Sequence, residues 1–162
     1  MPPRDARDPR RARGAYHQFH VVRRPAPPTD PTVVAWVAGF SDAESCMMYK
    51  EGTPVVSVSN CHLPTLCQLC DWYGGAVRPL RDGTASVRPC YQWSCAGGNA
   101  RFFLAAVLPY LREKRAQADL ILGEPVRDRR QPLTDEDCAR RVALRKALAA
   151  LKRVRSYPTG KK

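Results

Sequence analysis

The stretch WVAGFSDAES, Trp36–Ser45, begins as an apolar helix and ends on two acids, Asp42 and Glu44. Its small residues, Ala38, Gly39 and Ala43, leave little side chain between this helix and anything that packs on it. A helix that only fills a core has no use for carboxylates where the chain turns toward a strand, because acids are rarely buried without a partner. Asp30 followed by Pro31 is an N-cap and first-turn signature, so the helix is predicted over residues 31–43.

Working outward, SCMMYK and PVVSVSN are two short β-rich runs separated by EGT, which predicts a hairpin. LPTLCQLCDWYGG then carries apolar side chains at helical spacing and stops at Gly74 and Gly75, a C-cap signal. A second strand pair, AVRPL and SVRPCYQWS, is joined by RDGT. In its latter strand Val87, Pro89, Tyr91 and Trp93 alternate with Arg88, Cys90, Gln92 and Ser94, which predicts one apolar face and one polar, basic face. NARFFLAAVLPYL is a third helix, with Phe103, Leu104, Val107, Leu108 and Leu111 inward, broken near Pro109; another helix is expected from about Arg112. After the linker GEPVRDRRQP, Thr134 and Asp137 form a capping box ahead of a basic helix whose Leu144, Leu148 and Leu151 share one stripe. The element order predicts an α+β domain with its helices packed on one face of a sheet.

The bulk properties bound the partners. The chain has 162 residues, 27 Lys and Arg against 15 Asp and Glu, a net charge of +12 and a sequence pI near 9.8. Such an excess favours a polyanion, most often nucleic acid. The seven cysteines and an N-terminus with charge but no apolar stretch behind it predict a cytoplasmic protein with reduced thiols. No apolar run approaches a membrane span, so a soluble protein is expected. Residues 1–29 are read as a flexible basic arm, 30–124 as the core, 125–155 as a linker and basic helix, and 156–162 as a tail.

VAGFSDAES, Val37–Ser45, resembles the nine-residue signature of the LAGLIDADG homing endonucleases, and the element order is similar to their αββαββα core. LPYLREKRAQADLIL, Leu108–Leu122, resembles the segment before the family's late helix, and VSN followed by a helix ending in YGG is similar to its second strand and helix. The resemblance spans roughly residues 33–122 and implies an antiparallel, saddle-shaped sheet with helices on one face. It implies a homodimeric, site-specific DNA endonuclease that acts on a long pseudo-palindromic duplex site and is associated with intron or intein mobility.

Only one copy of the signature occurs, so the helix is expected to pair with the same helix of a second chain through Ala38, Gly39, Asp42 and Ala43. Two Glu44 carboxylates would then meet at the dimer axis, where they repel unless a cation such as Mg²⁺ or Mn²⁺ lies between them. The resemblance assigns Glu44 as metal ligand, Lys114 as the lysine near the scissile phosphate and Asn60 as the polar side chain that orders water. Base reading is expected from the polar sheet face through Cys46, Met48, Lys50, Ser57, Arg78, Arg88 and Gln92. Two departures stand out: Ser45 replaces the usual closing glycine, where it was expected to constrain the turn, and the first hairpin is short.

Two other classes compete. One is a binding protein on the same scaffold, an RNA maturase or a DNA-binding regulator that does not cleave. The other is a zinc-stapled basic protein built on Cys61, His62, Cys67 and Cys70, with Cys90 and Cys95 as further donors. Cys67 and Cys70 lie three apart on a predicted helix beside Leu66 and Trp72, which favours core packing over ligation.

Overall fold

A computed structural model describes residues 20–22, 24–126, 130 and 132–153. The first strand, β1 (His20–Val22), precedes helix α1 (Pro31–Glu44), the hairpin β2 (Ser45–Lys50) and β3 (Thr53–Asn60), and helix α2 (Leu63–Tyr73). The second hairpin, β4 (Gly75–Arg81) and β5 (Cys90–Ala96), is followed by α3 (Gly98–Val107), a 3-10 turn at Leu108–Tyr110, α4 (Arg115–Gly123) and α5 (Asp135–Arg153). The five strands form one antiparallel sheet in the order β1-β4-β5-β3-β2. This is the α+β arrangement expected from the sequence, an open antiparallel sheet flanked by helices.

Local chemistry accounts for the element ends. The Asp30 carboxylate accepts the Thr32 amide at 2.8 Å, and Pro31 occupies the first turn of α1, where its missing N–H costs nothing. Gly74 ends α2 at φ 75°, with its amide bonded to the Cys70 carbonyl. The capping box of α5 is present: the Thr134 hydroxyl accepts the Asp137 amide at 3.1 Å and the Asp137 carboxylate accepts the Thr134 amide at 3.2 Å.

Strand alternation divides the sheet. Met47, Tyr49, Val56, Val58, Val77, Trp93 and Cys95 point inward and are buried against Val37, Leu66, Leu69, Phe103 and Leu104 of the helices. Trp93 and Phe103 meet edge to face at 5.2 Å, and the Trp93 indole donates to the Gly74 carbonyl at 2.9 Å, so its polar atom is satisfied inside the core. Helix α5 packs on α4 and along β2, with Leu144 and Leu148 buried and Leu151 half-buried. No described helix is long and apolar enough to cross a membrane.

Four expectations require correction. The basic arm expected over 1–29 is interrupted at His20–Val22, which pairs with β4 and is tied to α2 by a hydrogen bond between His20 Nε2 and the Asp71 carboxylate at 2.6 Å; residues 1–19 and the tail 156–162 lie outside the described residues. The fifth strand lacked a signal because three residues are too few to show a period. Strand β5 begins at Cys90, so Val87, Arg88 and Pro89 belong to an exposed connection in which Thr84 and Val87 exchange backbone hydrogen bonds. Helix α4 starts at Arg115 instead of Arg112, because the Asp42 carboxylate takes the Arg112 and Lys114 amides. Ser45 does not strain its turn; it sits in extended backbone at φ −81° and ψ 152°, which any residue adopts.

The first hairpin turns on two residues, Glu51 and Gly52, at φ 48° and 81°. Positive φ at both central residues suits Asn-Gly far better than Glu-Gly. Glu51→Asn should therefore raise the midpoint of thermal unfolding, by a stabilisation on the order of 0.5–1 kcal/mol, a fraction of the left-handed penalty.

Candidate active site and reading face

The last turn of α1 organises the candidate site. The Ser41 carbonyl accepts three donors: the Ser45 amide that closes the helix, the Ser45 hydroxyl at 2.6 Å and the Lys114 ammonium at 2.8 Å. Lys114 is only 6% exposed, so its charge lies against the negative end of the helix dipole. One residue on, the Asp42 carboxylate clasps the turn before α4, accepting the Arg112 amide at 2.8 Å and the Lys114 amide at 2.9 Å. Asp42 thus accepts amides at the end of the helix from within its own chain.

Glu44, the final residue of α1, is exposed and has no hydrogen bond or ion pair among the described residues. Its carboxylate is a hard oxygen donor open to solvent, which suits a divalent cation shared with further oxygen ligands. Asn60 lies at the same end of the sheet, two residues beyond Val58, the partner of Ser45. Its side-chain oxygen accepts the His62 amide at 2.8 Å and shapes the entry to α2. Glu44, Lys114 and Asn60 are therefore gathered where α1, β2 and β3 meet.

Among the described residues no three His, Cys, Asp or Glu side chains converge as a metal cluster. Glu44 alone cannot complete a cation site in one chain. The zinc set also dissolves: Cys61 is exposed, Cys67 half-buried and Cys70 fully buried. Burial pushes the Cys70 thiol up to about 11 and the Cys95 thiol up to about 12, with Asp71 and Cys67 adding to the first and Cys70 to the second. Both remain neutral thiols at pH 7, the inert form. A thiol reagent should label exposed Cys61 and Cys138 quickly in native protein and reach Cys70 and Cys95 only on unfolding. Because the folded values are raised, the unfolded state loses these protons first, and the stability they contribute should fall as pH climbs from about 9 to 12.

On α1 the expected pairing residues separate. Ala38 is 0% exposed, buried by its own chain's core, and is not part of an outward seam. Gly39 and Ala43 are exposed, and a Cβ on Gly39 would meet nothing within 4 Å. Beside them Trp36, 49% exposed, stacks on Phe40 with ring centroids 5.5 Å apart. This aromatic pair went unselected in the sequence, although its spacing of four on the same helix was visible.

The outer sheet face carries most of the expected reading residues. Cys46 and Met48 are half-buried and Lys50 is exposed, all on that face, with buried Ser45, Met47 and Tyr49 between them. Ser57 shares the face through its pairing with Cys46 and Ser94, but sits mid-sheet and is only 7% exposed. The Gln92 side-chain oxygen accepts both Nε and Nη2 of Arg78, at 3.1 and 2.5 Å, and its amide donates to the Ser59 hydroxyl at 3.3 Å. Continuing the alternation two residues past Ser57 would have found Ser59. Arg88 stands apart on the connection before β5. Lys152 of α5 reaches this face from outside the sheet, its ammonium 3.5 Å from the Cys46 sulfur, a neighbour that no local pattern announces.

The chain is similar to crystal structures of the homing endonuclease I-CvuI bound to DNA. One holds the I-CreI target with 2 mM Mg, its DNA not cleaved, and another holds I-CvuI's own target with 2 mM Ca. In both comparisons the TM-score is 0.59 with 24% identity, over 81% of this chain and 85% of the other. No family model and no curated protein sequence matches the chain. The chain has the fold of the homing endonuclease I-CvuI.

The Asp42 clasp is testable on its own. Asp42→Ala would leave two backbone amides without their charged acceptor, at a cost of about 1.5–3 kcal/mol. The midpoint of urea unfolding should fall accordingly, with little change in slope.

Proposed function

We propose that the protein is a divalent-metal-dependent, site-specific double-strand DNA endonuclease acting as a homodimer. One observation carries the reading: Glu44, exposed and without a partner among the described residues, and Lys114, buried and held by the Ser41 carbonyl, both lie at the C-terminal end of α1, on a fold shared with a DNA-bound homing endonuclease. Desolvating the Lys114 ammonium costs free energy; the Ser41 carbonyl that holds it offsets part of that cost, and a phosphate at this end of α1 would use its charge further.

The second chain enters through α1. Exposed Gly39 and Ala43 allow a helix backbone to approach, and Trp36 with Phe40 supplies apolar surface to bury. Such pairing places the two Glu44 side chains together, and with phosphate oxygens they would hold Mg²⁺ or Mn²⁺. When bound, the ion polarises the phosphodiester and stabilises the attacking and leaving oxygens.

This chain's own side chains supply the remainder. Lys114 is oriented by the Ser41 carbonyl and offers positive charge to the scissile phosphate or the attacking water. Asn60, with its oxygen engaged by His62, leaves its NH₂ to order that water. The outer face, with Lys50, Arg78 and Gln92, would lie in the major groove, which admits a β-ribbon, and Arg88 on its exposed connection would lie beside it. The long pseudo-palindromic target and the link to intron or intein mobility belong to the same proposal.

The test is selection from a randomised duplex library with Mg²⁺, comparing wild type with Glu44→Gln by sequencing newly made ends. Wild type should yield one roughly palindromic cut site, and Glu44→Gln should retain that DNA uncut. If the variant cuts normally, Glu44 is not the ligand. If neither protein cuts while both retain the same sequences, the scaffold is a non-cleaving binder, as a maturase or regulator would be.

A further inference from the structure

The end of the sheet farthest from Glu44 holds a cleft of about 680 Å³ that the proposed chemistry does not use. It is bounded by the β2–β3 turn on one side, by Gly97 and Gly98 ahead of α3 on another, and by α5. Three cationic side chains line it, Lys50, Arg101 and Arg141, against one carboxylate, Glu51. The Arg101 guanidinium is committed: it donates to the Ile121, Leu122 and Glu124 carbonyls at 2.8–3.2 Å and closes the end of α4. Lys50 and Arg141 have no hydrogen bond or ion pair among the described residues.

Arg141 reaches the turn from α5. Its guanidinium lies directly over Gly52, where the Cβ of any other residue would collide with it. The plane is half-buried, yet its N–H donors meet no protein acceptor among the described residues. A half-buried guanidinium lining the same cleft as a lysine matches the oxygens of a phosphate group: the arginine fork bonds two oxygens and the ammonium adds a point charge. Across the cleft a Cβ on Gly98 would meet nothing within 4 Å, so the opposite wall leaves room for such a group.

We propose that this cleft binds a phosphate group between Lys50 and Arg141. Lys50 stands on the outer sheet face, so a backbone phosphodiester of bound nucleic acid could enter from there; a free phosphate or phosphate monoester offers the same chemistry. The backbone source rests on the nucleic-acid reading above, whereas the site itself does not.

The experiment uses the full chain as wild type, Arg141→Gln, Arg141→Lys and Lys50→Gln, with folding checked by circular dichroism. In one arm, binding to a 30-base-pair duplex is titrated with salt. Losing one phosphate contact should lower the slope of log affinity against log salt by about 0.9, so wild type should lose about 3.5-fold more affinity than Arg141→Gln between 50 and 200 mM. Arg141→Lys should keep most of the slope, and Lys50→Gln, altering the cleft from another element, should reproduce the loss. In the other arm, melting is followed with inorganic phosphate at constant ionic strength.

A reduced slope in Arg141→Gln and Lys50→Gln, with Arg141→Lys near wild type, identifies the ligand as backbone phosphodiester. An unchanged slope, with melting raised by phosphate in wild type and not in Arg141→Gln, identifies a free phosphate ligand. If wild type binds no duplex but shows that Arg141-dependent shift, the site stands and the nucleic-acid reading falls. An unchanged slope together with equal melting shifts in all four proteins overturns the proposal.

Discussion

The structure depends on how the C-terminal turn of one helix is closed. A helix end leaves carbonyls without partners, and here the Ser41 carbonyl is saturated by the Ser45 amide, the Ser45 hydroxyl and Lys114, while Asp42 next to it grips two amides of a distant turn. Residues some seventy positions apart are thereby tied at three points. The clasp fixes the approach of α4 to α1 and holds the lysine on the last turn of α1. Without it the 3-10 turn after α3 would have no reason to stop at Tyr110, and Lys114 would be one more solvated side chain on a basic surface.

Much of this was legible because the decisive signals are local. Asp30-Pro31, the alternation from Ser45 to Lys50, the glycine that ends α2 and the Thr134–Asp137 box each set their own conformation, and the elements stand where those residues put them. The alternation also sorted Cys46, Met48 and Lys50 from the core before any contact was known. What remained hidden is of another kind. That Ala38 faces its own sheet while Gly39 faces outward depends on the rotation of α1 about its axis, which small residues around the helix leave undetermined. That Asp42 reaches Arg112 and Lys114, and Lys152 reaches Cys46, is tertiary contact across long separations in sequence. The start of β5 was set too early because Val87 and Pro89 continue the alternation in letters, whereas Thr84 and Val87 bond each other.

The sheet's outer face is not simply a row of independent donors. Gln92 accepts from Arg78 and donates to Ser59, so three strands share one polar chain. Engaged side chains of this type are held in place before any partner arrives, which lowers the conformational entropy lost on association. They also constrain recognition, since a groove that takes a hydrogen bond from Arg78 must offer enough to replace the one to Gln92. Lys50, without such a neighbour, keeps its freedom and its hydration.

The course of α5 bears on association as well. Arg141 lies over Gly52 past the end of β2, and Lys152 meets Cys46 near its start, so the helix runs alongside the outermost strand for its whole length. At the opposite margin, β1 offers only three residues. A six-residue edge left bare would be a template on which another chain could add a strand, the usual beginning of aggregation. With one margin lined by a basic helix and the other offering three described residues, the described part of the sheet presents little strand on which another chain could build.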